Sequence, residues 1–133
     1  MNPQRNPVSW FEIYVQDMTR AKAFYENVFQ VTLEKLPHPD SDPVPGLEMW
    51  MFPPTMSPDN PGCRGALAKR KDKNSGTGGT IIYFSCEDCA VETSRVVSRG
   101  GSLHCDKMSI GEYGYIALVF DPDGNMVGLH SMK

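Results

Sequence analysis

Apolar and polar positions alternate along Val8-Ser-Trp-Phe-Glu-Ile-Tyr-Val15, which puts Phe11, Ile13 and Val15 on one face of an extended segment and Trp10, Glu12 and Tyr14 on the other. The first set is the better core face. The period then changes: Ala21, Phe24, Tyr25 and Val28 stand at i, i+3, i+4 and i+7, the stripe of an amphipathic helix over about residues 18–28. Asp17 precedes it where a carboxylate can cap the first-turn amides. Short apolar segments at residues 31–36, 47–52 and 63–69 read as strands, parted by the Pro- and Asp-rich residues 37–43 and the Pro-rich residues 53–62.

The same order returns after a Gly-rich stretch. A strand fits residues 80–86, Asp88 caps a helix to about Arg99, and strands fit residues 102–108, 113–120 and 125–130. The last two flank Asp121-Pro-Asp-Gly124, where Pro fixes φ and Gly supplies a positive φ, and together they read as a hairpin. Gly128 in its second strand predicts that something approaches the backbone closely there. Both halves thus run strand, Asp-capped helix and three strands, a tandem repeat. Four strands and one helix leave an apolar face uncovered. The expected fold is therefore α+β: tandem βαβββ modules forming a curved mixed sheet around a cavity. A single domain over residues 1–133 is expected, with module 1 at about 8–69, a linker at 70–79 and module 2 at about 80–131.

Composition narrows the function classes. The 133 residues are 40% hydrophobic and 22% charged, enough for a real core without a disulfide staple. A net charge of −3 argues against nucleic acid, and the one basic run, Lys69-Arg-Lys-Asp-Lys73, reads as solvated linker. No apolar run reaches the ~20 residues of a membrane span, and the N-terminus lacks a signal-peptide core, so the expected compartment is cytoplasmic with reduced thiols. Among Cys63, Cys86, Cys89 and Cys105, the Cys86-Glu-Asp-Cys89 spacing suits half a zinc site or a redox pair, but its second half is missing. Buried apolar thiols are the plainer reading.

The chain resembles the vicinal oxygen chelate superfamily of glyoxalases, bleomycin-resistance proteins and extradiol dioxygenases. The match runs from Trp10-Phe-Glu-Ile-Tyr-Val-Gln-Asp17 through Arg20-Ala-Lys-Ala-Phe-Tyr25 to Phe120-Asp-Pro-Asp-Gly-Asn125. The resemblance implies architecture first, since one fold hosts many chemistries. In metal-dependent members it implies four ligands, one from the first and one from the last strand of each half. Carried over, those positions are Trp10, Ala66, Thr80 or Ile81, and Gly128, none a usual ligand. Hence no metal and no cofactor are expected.

By strand parity Trp10, Glu12 and Tyr14 should line the cavity, with Arg64 and Ala68 beside Ala66, and Met126 and His130 beside Gly128. Tyr113 and Tyr115, after Ile110-Gly111, could close over a ligand or simply pack. The candidate ligand-binding set is Trp10, Glu12, Tyr14, Arg64, Tyr113, Tyr115, Met126 and His130, with Glu12 and His130 the catalytic candidates. Glu12 reads as a ligand contact or general base, or as a structural ion pair with Arg64. The leading function is metal-independent binding or transformation of a small molecule. The alternatives are a drug-sequestering resistance protein, or a metal-dependent lyase or dioxygenase with ligands rearranged to Glu12 and His130. A homodimer is expected, because each half leaves a sheet edge and an apolar face open.

Overall fold

The structure is a computed structural model that describes residues 6–37, 46–53 and 63–133; the expected loops at 37–43 and 53–62 lie almost wholly outside these. The first half runs β1 Val8–Tyr14, α1 Met18–Phe29, β2 Glu34–Lys35, β3 Glu48–Met51 and β4 Arg64–Lys69. In the second half β5 Thr80–Ser85 leads to α2 Cys89–Val96 and a 3-10 turn at Val97–Arg99. β6 Ser102–Ser109, a second 3-10 turn at Gly111–Tyr113, β7 Tyr115–Phe120 and β8 Met126–Ser131 follow. This is an α+β fold built from βαβββ twice. The strand order is β2-β3-β4-β1 in one half and β6-β7-β8-β5 in the other. In both, the first strand is parallel to the fourth and the rest are antiparallel, so each sheet is mixed. The described chain divides into two compact units, residues 10–37, 46–53 and 63–80, and residues 6–9 with 81–133.

In the first unit Val15, Met18, Leu33 and Leu67 are buried together, with Ile13, Ala21, Tyr25, Trp50 and Phe52 packed around them. Phe11 meets Phe52 at 5.6 Å between centroids, and Tyr25 meets Phe52 edge-on at 5.8 Å. The face of β1 carrying Phe11, Ile13 and Val15 is thus the helix side of the sheet. Asp17 caps α1 by accepting from the Arg20 amide at 3.0 Å. The helix departs from its expected stripe. Met18, Ala21 and Tyr25 point inward, while Phe24 and Val28 are 58% and 56% exposed. Tyr25 can serve either stripe, and the burial of Met18 rotates the helix toward the first; Phe24 rests edge-on against Tyr25 instead. The strand expected over 31–36 shortens to Glu34–Lys35.

In the second unit the Asp88 carboxylate caps α2 through the Ala90 amide at 3.0 Å and receives the Lys107 ammonium at 2.8 Å. Cys86, Cys89, Ala117, Val119 and Leu129 form the buried core beneath the helix. The Asp121 carboxylate holds the hairpin turn, accepting from the amides of Asp123 and Asn125 and from the Asn125 side chain, each at 2.9 Å. Those donors pull the Asp121 carboxyl below its ordinary value. β7 begins at Tyr115 rather than Tyr113. Gly114, at φ +101°, ends the 3-10 turn, and a Cβ there would lie 2.4 Å from the Ser131 carbonyl oxygen.

A shared register ties the two halves as repeats. The Val15 amide donates to Ala68 at 2.9 Å, and the Cys86 amide donates to His130 at 2.7 Å, each two residues before the capping Asp. Glu12 therefore corresponds to Tyr83, and Trp10 to Ile81. Across the parallel pairs Glu12 stands opposite Ala66, and Tyr83 opposite Gly128. This equivalence selects Ile81 over Thr80 as the inherited position on β5.

Candidate functional site

On β1 the face turned away from α1 carries Trp10, Glu12 and Tyr14, with Arg64, Ala66 and Ala68 opposite on β4 and Met49 and Met51 beyond on β3. Period 2 puts three polar or aromatic side chains on one side, and two alanines on β4 leave room for them. Glu12 is 5% exposed and Tyr14 3%. A carboxylate so far from water needs donors, and neighbours two residues away on the same face supply them. Trp10 Nε1 donates to Glu12 Oε2 at 3.0 Å, and the Tyr14 hydroxyl donates to Glu12 Oε1 at 2.8 Å. Both described donors come from Glu12's own strand, where the sequence reading had weighed an ion pair with Arg64. The Arg64 side chain itself is exposed.

Burial pushes the Tyr14 phenol far above its ordinary value, and the nearby Glu12 charge pushes it further. Arg70 pulls the other way without cancelling them. Stability follows by linkage. Below the ordinary value of 10.0 the phenol is protonated in both folded and unfolded chains, so Tyr14 gives no pH dependence there. Above it the unfolded chain loses a proton that the folded chain keeps. Stability should then fall by up to about 1.4 kcal/mol per pH unit. Urea midpoints measured from pH 9 to 11.5 should decline more steeply for the native sequence than for Tyr14→Phe; parallel curves would show that the phenol ionises freely.

Arg70 and Lys73, taken from sequence as solvated linker, cover the end of this cluster. Arg70 donates to Asp72 through Nε at 3.0 Å and through a terminal nitrogen at 2.9 Å, and its positive charge is the one that acts on the Tyr14 phenol. The Lys73 ammonium lies 5.8 Å from the centre of the Tyr14 ring. Gly79 is buried, and its carbonyl accepts from the Tyr14 amide at 2.7 Å. Only a tertiary contact singles out Arg70 from its basic neighbours, and no local pattern marks it.

The candidates in the second unit are described by themselves. His130 Nε2 lies 2.6 Å from the Tyr113 carbonyl oxygen; a carbonyl can only accept, so Nε2 carries the proton. Tyr113 contributes that carbonyl from the 3-10 turn. Tyr115 packs on the α2 core with the Lys107 ammonium 4.7 Å from its ring centre, so it stands on the opposite face of the sheet from His130. Met126 is half-buried beside Phe120. Gly128 does meet a close approach: the Tyr83 ring lies 2.2 Å from where its Cβ would be.

Two further features lie apart from these residues. A groove of about 280 Å³ on the α1 side of the first sheet is lined by Met18, Thr19, Lys22, Glu26, Glu48 and Trp50. Within it Lys22 sits 3.5 Å over the Trp50 ring, and the half-buried Glu48 accepts from Trp50 Nε1 at 2.9 Å. Cys86 and Cys89 are both buried and unbridged. Burial and the nearby Glu92 push the Cys86 thiol up to about 11, the opposite of a redox-active thiolate.

These features define a class of protein: a repeated βαβββ fold whose first strand displays a hydrogen-bonded, buried carboxylate. The chain belongs to the Glyoxalase/Bleomycin resistance protein/Dioxygenase superfamily, whose family model matches residues 8–129. Solved structures share the fold. Methylmalonyl-CoA epimerase from Streptomyces coelicolor, in complex with 2-nitronate-propionyl-CoA, is 16% identical with a TM-score of 0.64 over 95% of this chain and 96% of that one. The epimerase from Mycobacterium tuberculosis is 15% identical with a TM-score of 0.63, over 96% of this chain and 88% of that one. A hypothetical protein from Bacillus halodurans C-125 is 12% identical with a TM-score of 0.67 over 95% and 94%. No curated protein matches the sequence. No helix among the described residues is long and apolar enough to cross a membrane.

Proposed function

We propose that this protein binds a small organic molecule without a divalent ion, on the face that carries Trp10, Glu12 and Tyr14. The observation that carries the reading is Glu12: a carboxylate 5% exposed, set between an aromatic donor on each side, on the inherited ligand-bearing face of β1. Aromatic walls around a few fixed polar groups are the ordinary build of a small-molecule site. The superfamily's metal chemistry does not fit these residues. Trp10 has only an indole N–H, already donated to Glu12; Ala66 and Ile81 have no donor atom; and the Tyr83 ring fills the space beside Gly128. Among the described residues no three His, Cys, Asp or Glu side chains are grouped to hold an ion.

The test is a thermal-shift screen of small aromatic and carbonyl metabolites and drugs in the presence of a chelator, together with metal analysis after dialysis. Stabilising ligands should appear without metal, and Glu12→Gln should weaken them. Near-equimolar zinc, nickel, iron or manganese surviving dialysis, or stabilisation only after a metal is added back, would overturn the reading.

A further inference from the structure

We propose that the groove between α1 and β3 is a second binding site, for a small organic cation of the quaternary ammonium class, and that the Lys22 ammonium stands where that cation would sit. The site is separate from the face of Trp10, Glu12 and Tyr14. Glu48 and Trp50 pair in register with Lys69 and Leu67, so they stand on the helix side of the sheet, where Leu67 belongs to the core under α1.

Period 2 sends Glu48 and Trp50 to one side of β3, and Lys22 and Glu26, four residues apart, share one face of α1. All four are half-buried. The indole is anchored at its edge, where Trp50 Nε1 donates to Glu48 Oε1 at 2.9 Å. Donation to a carboxylate makes the ring richer in electrons, and the face of such a ring attracts a cation. The Lys22 ammonium lies 3.5 Å from the ring centre, closer than the lysine–ring contacts of Lys107 and Lys73 at 4.7 and 5.8 Å. Glu26 is held in turn by the Leu33 amide, which donates to its Oε2 at 2.8 Å. The lining thus carries one cation against two carboxylates. Lys35 and Lys69, which pair across the sheet with Trp50 and Glu48, are exposed and outside it. Two carboxylates disfavour an anion there, and an aromatic floor favours a cation that sheds its water easily. A lysine ammonium is compact and strongly hydrated, whereas a quaternary ammonium is well suited to an aromatic face. The volume of about 280 Å³ is near the small end for ligand pockets, which suits a compact cation. Lys22 is a displaceable occupant, because its flexible stem can swing to Glu26 one turn along the helix.

Trp10 and Trp50 are the only tryptophans of the chain, so two indole N–H resonances report by NMR, Trp50 on this groove and Trp10 on the other face. Each is assigned by its loss in Trp10→Phe or Trp50→Phe. The probes are tetramethylammonium chloride and tert-butanol, a neutral molecule of similar bulk, titrated at millimolar concentration and constant ionic strength. Tetramethylammonium should move the Trp50 resonance to saturation and leave Trp10 in place, and tert-butanol should move neither. Lys22→Gln removes the resident cation and should tighten tetramethylammonium binding about threefold or more. Lys22→Arg, whose planar guanidinium stacks on the ring more firmly, should weaken it. Glu48→Gln keeps an acceptor for the indole but loses the charge, and should weaken it as well. Equal movement of Trp50 by both probes, no movement in either the native protein or Lys22→Gln, or weaker binding in Lys22→Gln than in the native protein would overturn the proposal.

Discussion

Glu12→Ala is expected to lower folding stability by about 2–4 kcal/mol, and Glu12→Gln by about 1 kcal/mol or less. The alanine variant removes the acceptor of two donors at once. The Tyr14 hydroxyl is buried and the Trp10 indole half-buried, so neither readily exchanges its lost partner for water. An unsatisfied buried donor costs about 1–3 kcal/mol, and the vacated side-chain volume adds to it. Relief of the buried charge offsets part of this, which keeps the expected figure below a simple sum. Glutamine keeps the shape. Its carbonyl can face Trp10, which must donate, and its amide can face Tyr14, whose oxygen can accept. Urea unfolding at pH 7 separates these outcomes. An alanine variant within about 0.5 kcal/mol of the native sequence would mean that water already satisfies both donors, and the cluster would lose its structural meaning.

The alternation of β1 made the partition of its two faces legible from sequence, because period 2 and the contrast of Phe11, Ile13 and Val15 with Trp10, Glu12 and Tyr14 leave one consistent arrangement. The capping aspartates were legible for a similar reason: Asp17 and Asp88 act on amides only two or three residues away. What depended on distant packing was not. The stripe on α1 was misplaced because aromatic residues at 24, 25 and 29 make the helix apolar on more than one side, and only the burial of Met18 decides its rotation. Arg70 was read as solvated because a basic run looks the same whether or not one member turns inward. Tyr115 was grouped with Tyr113, yet the 3-10 turn ending at Gly114 separates them, and Tyr115 joins the core under α2. Gly128 lies between these cases. Its lack of a side chain announced a close approach, but the sequence could not say that the visitor would be Tyr83 from the adjacent strand.

That contact sets the second large effect. Gly128→Glu, which writes a carboxylate into the inherited ligand position of β8, is expected to cost about 3 kcal/mol or more and to yield little folded protein. The Cβ alone would fall 2.2 to 2.7 Å from three atoms of the Tyr83 ring, including the one nearest the backbone. A swing of the ring tip cannot clear that overlap, because Tyr83 is 6% exposed and boxed in by its neighbours. The clash has a specific signature in a double-mutant cycle. Tyr83→Ala should be destabilising alone, yet Tyr83→Ala with Gly128→Glu should be more stable than the sum of the two single losses predicts. Strict additivity would show that backbone strain, not the ring, forbids a side chain at 128. Even the relieved double variant should gain no tightly bound divalent ion. One carboxylate at 128 still has Trp10, Ala66 and Ile81 as its inherited companions, and a single ligand does not make a site. Aromatic filling at Tyr83 and residues without ligand atoms at the other three positions accord with the proposed metal-free reading, under which reversing one without the others would restore neither packing nor a ligand set.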